Sequence, residues 1–188
     1  MNELHTCGGA HILPCMKRMA FLTSMVVFLG ACAKDTPEGT PSGSSSGCAA
    51  ISGFSMVDVN GASILPPDTT DWRTTDDWCP PVEQLFADLP PVTYVDTPLT
   101  EPAIAGFPNP CSEVFAMWLG NDSSVMVDLR IVDHASQLVY AMDSITAHSI
   151  IIPADDLGVA DGQLFRVYYR IVHPNGTAHR GHGDMMKQ

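Results

Sequence analysis

Apolar and polar residues alternate along two stretches of this chain. Val125, Val127, Leu129 and Ile131 alternate with Met126, Asp128 and Arg130, the period of two expected of a half-buried β-strand. Within 163–173, Phe165, Val167, Tyr169 and Ile171 alternate with Leu164, Arg166, Tyr168 and Arg170. Between these runs Asp133-His134-Ala135-Ser136 predicts a turn, 137–142 its returning partner and 148–152 a further strand. Pro174-Asn175-Gly176-Thr177 carries the Asn-Gly pair of a tight hairpin, so the chain returns over 178–186. Short strands at this spacing, with turn signals between them, predict a mainly β fold, an antiparallel β-sandwich.

The pattern is looser over 48–110. A first strand is expected at 54–59, closed by Asn60-Gly61 and stopped by Pro66-Pro67. Pro80-Pro81 followed by Glu83 predicts one short helix near 80–88, with Val82, Leu85 and Phe86 on one face. Pro90, Pro91, Pro98, Pro102, Pro108 and Pro110 keep the next stretch extended or turning. The sandwich is therefore expected over 48–188, irregular to 110 and stranded from 111.

Ahead of it, 33–47 is rich in Gly, Ser, Thr and Pro and has almost no apolar side chain. Such a segment cannot bury enough surface to fold and is expected to be a disordered linker, with a reach of about 20 Å. Before the linker, Lys17-Arg18 precedes an apolar run over 19–29 that is too short to span a bilayer. Leu29, Gly30 and Ala31 then lead into Cys32. A basic flank, a short apolar run and small residues describe a signal peptide over 1–31. Met16 is the expected true start, because 1–15 carry no pattern of their own.

The Leu29-Gly30-Ala31-Cys32 sequence resembles the lipobox of bacterial signal peptidase II substrates. The resemblance implies that Cys32 is the acylated first residue of a mature lipoprotein. Two or more acyl chains hold a domain firmly to a membrane, so an outer-membrane anchor is expected. Cys32-Ala33-Lys34-Asp35 also resembles the Lys-acidic signal of surface-exposed lipoproteins in bacteria with type IX secretion, which implies display at the cell surface.

Charge narrows the partners. The chain has a net charge of −12. Losing 1–31 removes Lys17, Arg18 and Glu3, which leaves −13. That surface repels phosphates, so no nucleic acid is expected, and the lipid on Cys32 is the expected membrane contact. Cys48, Cys79 and Cys111 remain in the mature chain. An extracytoplasmic setting permits a disulfide within any of three pairs. Three buried free thiols, acting as small apolar residues, are the preferred expectation.

Phe107-Pro108-Asn109-Pro110, the 125–132 strand, Asp133, and Gln137-Leu138-Val139-Tyr140 before a Tyr-rich hairpin resemble the C-terminal sorting domains of type IX secretion cargo. The likeness implies a β-sandwich over 107–188. Asp71-Trp72, Trp78, Leu85-Phe86, Tyr168-Tyr169 and Gly181-His182-Gly183-Asp184 resemble small bacterial lipoproteins of that lineage. That likeness implies a fold and a location but no activity.

Candidate chemistry is sparse. Trp72, Trp78 and Trp118 are a possible stacking platform for sugar rings, although a Trp beside a short helix more often packs a core. His179, His182 and Asp184 are of metal-ligating type. The plainer reading is polar decoration of an edge hairpin, with no metal and no cofactor. The acids at Asp71, Asp76-Asp77, Asp155-Asp156 and Asp161 lack the spacing of a calcium loop and are expected to be solvated surface. No nucleophile elbow, zinc-protease helix or paired-Glu pattern occurs, so no enzyme is expected. The expected function is a tethered binding or assembly module that meets an envelope protein. A glycan-binding module and a small hydrolase with a spatially assembled site are the alternatives.

Overall fold

The computed structural model describes residues 48–99, 104–120 and 124–188. The expected signal peptide, Leu29, Gly30, Ala31, Cys32 and the 33–47 linker lie outside the described residues. The fold is mainly β, with eight strands in two open sheets and one short α-helix among the described residues. The larger sheet has the order β1 (Thr93–Tyr94), β8 (Thr177–Met186), β7 (Leu164–Val172), β4 (Met126–Asp133), β5 (Leu138–Ile145). The smaller sheet runs β2 (Ala105–Phe107), β3 (Val114–Trp118), β6 (Ser149–Pro153). Every pairing is antiparallel except β1 with β8, which is parallel.

The turns form where local chemistry dictates. Gly176, at φ +82°, closes the β7–β8 hairpin, with Gly176 N–H donating to His173 O at 3.0 Å. Asp133 Oδ1 accepts from the N–H groups of Ala135 and Gln137 and bends the β4–β5 connection, the usual role of Asp at a turn. Between the sheets Phe115, Met117, Leu129, Ile131, Phe165, Val167 and Tyr169 are fully buried. Each such side chain contributes roughly 1.5–3 kcal/mol on leaving water.

Four expectations are corrected. First, β4 and β7 are buried on both faces: Asp128, Arg130, Arg166 and Arg170 are inside as well. Residues 78–94 lie across that second face, where Trp78, Val82 and Phe86 pack with Val132 and Tyr168. Second, the helix α1 spans only Pro80–Gln84. Leu85 O accepts from Arg130 Nε at 2.8 Å, and the chain continues in tighter turns, with Phe86 N–H bonding Glu83 O and Ala87 N–H bonding Gln84 O. Third, no strand forms over 54–59. Ser55 N–H goes to the Asp71 carboxylate instead, and Val57 makes isolated bridges to Ser63 and Asn109; the Asn60-Gly61 turn stands, with Gly61 at φ +81°. Fourth, Cys48 and Cys79 form a disulfide, and only Cys111 is a free buried thiol among the described residues. The strands β1, β2 and β3 were not expected; β3 is apolar on both faces (Val114, Ala116 and Trp118 against Phe115 and Met117) and so shows no alternation.

Candidate functional site

Two concave regions flank β8. The first is a groove of about 610 Å³ between the 55–72 loop and the strands β2 and β3, lined by Asn60, Asp68, Asp71, Trp72, Phe107 and Trp118. Trp118 is 47% exposed. In the β2–β3 register Trp118 faces Ala105 and Phe107 faces Ala116, so the two rings stand at diagonal positions on the sheet's outer side. Trp72 forms the floor. Its indole fills the space that a Cβ on Gly106 or Gly183 would need, at 2.9 and 2.3 Å, and it stacks nearly parallel to Tyr169 at 6.1 Å. Trp78 is not part of this groove. It is 7% exposed, on the other face of the large sheet, stacked on Phe86 at 4.5 Å. The three tryptophans are thus divided, two at the groove and one in a core.

The groove also carries charge. Asp68 accepts from Thr70 N–H and Thr70 Oγ1–H, at 2.8 and 2.7 Å, and these bonds hold its carboxyl below the usual carboxylate range. Asp58, on the same loop, is lowered by the N–H groups of Ala62 and Asn60. Both are ionised at neutral pH.

The second region is a pocket of about 290 Å³ beside the disulfide, lined by Arg73, Asp76, Trp78, Arg166, Tyr168 and His182. His182 Nδ1 bonds the Asp76 carboxylate. The pocket joins a histidine, an acid and a phenol hydroxyl, the minimum a spatially assembled hydrolase needs. The hydroxyl is a tyrosine's, and what the structure gives the imidazole by hydrogen bond is an acid, not a nucleophile.

The histidines of the last hairpin separate. His179 Nδ1 lies 2.9 Å from His173 Nε2; burial and then the His173 charge depress its pKa. His182 and Asp184 instead converge with Asp71, ligand-type atoms of all three lying within 4.8 Å of one another. The chemistry there is already committed. Arg166 grips Asp184 through two bonds, at 2.6 and 2.7 Å. Burial works against the guanidinium charge, but the Asp184 carboxylate holds the Arg166 pKa above its usual value. Asp71 Oδ2 accepts from Ser55 N–H and Ser55 Oγ–H at 2.8 Å each, and its Oδ1 from Asp184 N–H at 3.1 Å. Burial raises the Asp71 pKa, against the Ser55 hydrogen bonds, and the Asp184 charge adds to the rise. A cation would compete with the Arg166 guanidinium for Asp184, so the cluster serves first as a fastening between the 55–72 loop and β8. Of the remaining acids, Asp155 pairs with Lys187 at 2.9 Å.

Asn109 was not singled out in the sequence, yet it ties this region together. Fully buried, it donates to Ser55 O and Asp184 O, at 2.9 Å each, and accepts from Met186 N–H at 3.0 Å. Its place between Pro108 and Pro110 was the available signal: its backbone pairs with Val57 at 2.9 Å in both directions, and its side-chain amide is left to bond the neighbouring backbone. The two-sheet sandwich with its aromatic groove defines the class as far as the fold can take it. Comparison with protein families, curated proteins and solved structures returns no match.

Proposed function

We propose that this protein is a non-enzymatic binding or assembly module, tethered to the outer membrane by a lipid on Cys32 and presenting its sandwich to an envelope protein. One observation carries the reading. The outer face of the small sheet keeps large apolar side chains in water, Val114 at 45%, Trp118 at 47% and Ile151 at 71% exposure. Beside it, the loop that lines the groove exposes Val59, Ile64 and Leu65. Contiguous apolar surface of this kind marks an interaction site, and the acidic remainder of the chain keeps it in solution.

The test is a photo-crosslinking residue at position 118 in the native envelope. A discrete crosslinked protein, lost when Ile151 and Val114 are changed to Asp, is the expected result. Recovery of uncrosslinked monomer alone overturns the assembly reading. In parallel, Cys32→Ser is expected to release a folded domain from the membrane fraction.

A glycan-binding module is the second reading, favoured by the Phe107–Trp118 arrangement beside Asn60 and the ionised Asp68. Aromatic faces for stacking and a few polar groups for hydroxyls suit a sugar ring. Binding to a glycan panel that disappears in Trp118→Ala, with no protein crosslink, would favour this reading.

A further inference from the structure

We infer that the open edge of β6 receives an extended segment of a partner protein, apolar at alternate positions and basic at the end that meets Pro153. The inference rests on the assembly reading and names the partner's chemistry.

The edge follows from the sheet order. In β2-β3-β6 one side of β6 has no neighbouring strand among the described residues. Leu119 N–H to His148 O and Ala154 N–H to Glu113 O, both 2.8 Å, bracket the β3–β6 ladder. Bonded pairs alternate in an antiparallel ladder. Ile150 and Ile152 therefore direct their backbone groups to β3, and Ser149 and Ile151 direct theirs outward.

Proteins guard such edges with charge, bulges or cover. The other edges here are guarded. Residues 72–76 and β1 cover β8, through Trp72 N–H to His182 O and Asp76 N–H to Arg180 O. Strand β5 carries two register shifts against β4 and an Asp143 paired to Arg130. Strand β2 is three residues long, and the loop at Gly61 lies against Phe107 beside it. By contrast Ser149-Ile150-Ile151-Ile152 has no charge and no bulge. An added strand would hydrogen-bond at Ile151 and continue the apolar row of Ala116 and Ile151 across the outer face, the strand-addition mode of peptide recognition.

Charge selects the occupant. At the Pro153 end Glu113 and Asp156 are exposed, and Asp155 and Asp161 flank Lys187. A second copy would bring its own strongly acidic surface. A partner with basic residues at that end is attracted instead.

The probe is a ten-residue peptide alternating threonine and valine with two lysines at one end. It is titrated against the full-length protein in detergent, with a two-glutamate version as the control. The lysine peptide should bind and protect the Ile151 amide from hydrogen exchange. Affinity should fall about tenfold or more for the glutamate peptide and for Ile151→Pro, which deletes the outward donor. Ile151→Lys, which leaves the backbone intact and places a charge on the edge, should weaken binding alike, with an unchanged melting temperature showing that it folds. Equal binding of both peptides, or undiminished binding by Ile151→Lys, overturns the inference. So does a wild-type dimer in sedimentation that Ile151→Lys dissociates, because the occupant would then be a second copy. If Ile151→Lys still crosslinks its partner from position 118, the edge inference fails while the assembly reading stands.

Discussion

The larger sheet has two faces built from alternate residues of the same strands. On one, Leu129, Ile131, Phe165, Val167 and Tyr169 meet the small sheet with no charge among them. On the other, β4, β7 and β8 present Arg130, Arg166, Arg170 and Arg180. Each of these four arginines donates to a main-chain carbonyl of the N-terminal segment: Leu85 O, Ala49 O, Pro90 O and Asp76 O, at 2.6 to 3.1 Å. Each also has an acid, with Arg170 on Asp128 at 2.6 Å and Arg166 on Asp184. The apolar face is held by packing, which needs no partner of fixed direction. The arginine face adds directed bonds to a small packed cluster around Trp78 and Phe86, and together they let a segment with only five helical residues lie in order over a sheet. A guanidinium has five donors and can serve an acid and a carbonyl together.

The comparison can be broken at either face. Phe165→Ala, on the packed face, should cost about 3–5 kcal/mol in urea unfolding. Asp184→Ala should cost a similar 3–5 kcal/mol, because Arg166 is left buried without its acid. The faces part company in a double substitution. Arg166→Met with Asp184→Leu should return to within about 1 kcal/mol of wild type, whereas no second change on the packed face restores a missing ring. If Asp184→Ala is silent, the arginine face is decoration. Reducing the Cys48–Cys79 bond, or changing both to Ser, should cost about 3.7 kcal/mol for a loop of this length, and the loss should fall on the covering segment first, read as faster exchange of amides in 49–95.

The smallest effect is a pH dependence. The folded-state pKa of His179 lies below its ordinary value, so the unfolded chain binds a proton more readily. Stability from this group is present above the unfolded value near 6.5 and is lost as pH falls below it. His179→Phe should flatten the fall in stability that sets in as pH drops below about 6.5, measured as melting temperature against pH.

Alternation in 125–131 and 163–173 was enough to locate β4, β7 and the β7–β8 hairpin. It misled about exposure, because a polar face can be buried once every charge has a partner, and no periodicity reports partners 42 residues apart such as Asp128 and Arg170. Strand β3 escaped notice for the opposite reason: water-facing Val114, Ala116 and Trp118 read like a core. That uniform apolarity, which hid the strand, is also what carries the functional proposal. The groove was legible only as residue types. Trp72 reaches the groove floor because Gly106 and Gly183 lack the side chains that would occupy its place, and Trp78 was drawn elsewhere by Phe86 and Tyr168. The cysteine pairing depended on the covering segment folding back over 31 residues.

The disulfide also has a mechanical meaning. A pull applied along the chain ahead of Cys48 is shared between the sulfur bridge to Cys79 and Ala49, whose carbonyl Arg166 holds, so the loop beyond is partly relieved of load. Cys79 sits between buried Trp78 and the first residue of α1. Force therefore enters the domain on its arginine face, and much of it bypasses the loop that builds the groove. A domain tethered as proposed would be tugged through this bridge rather than through its groove.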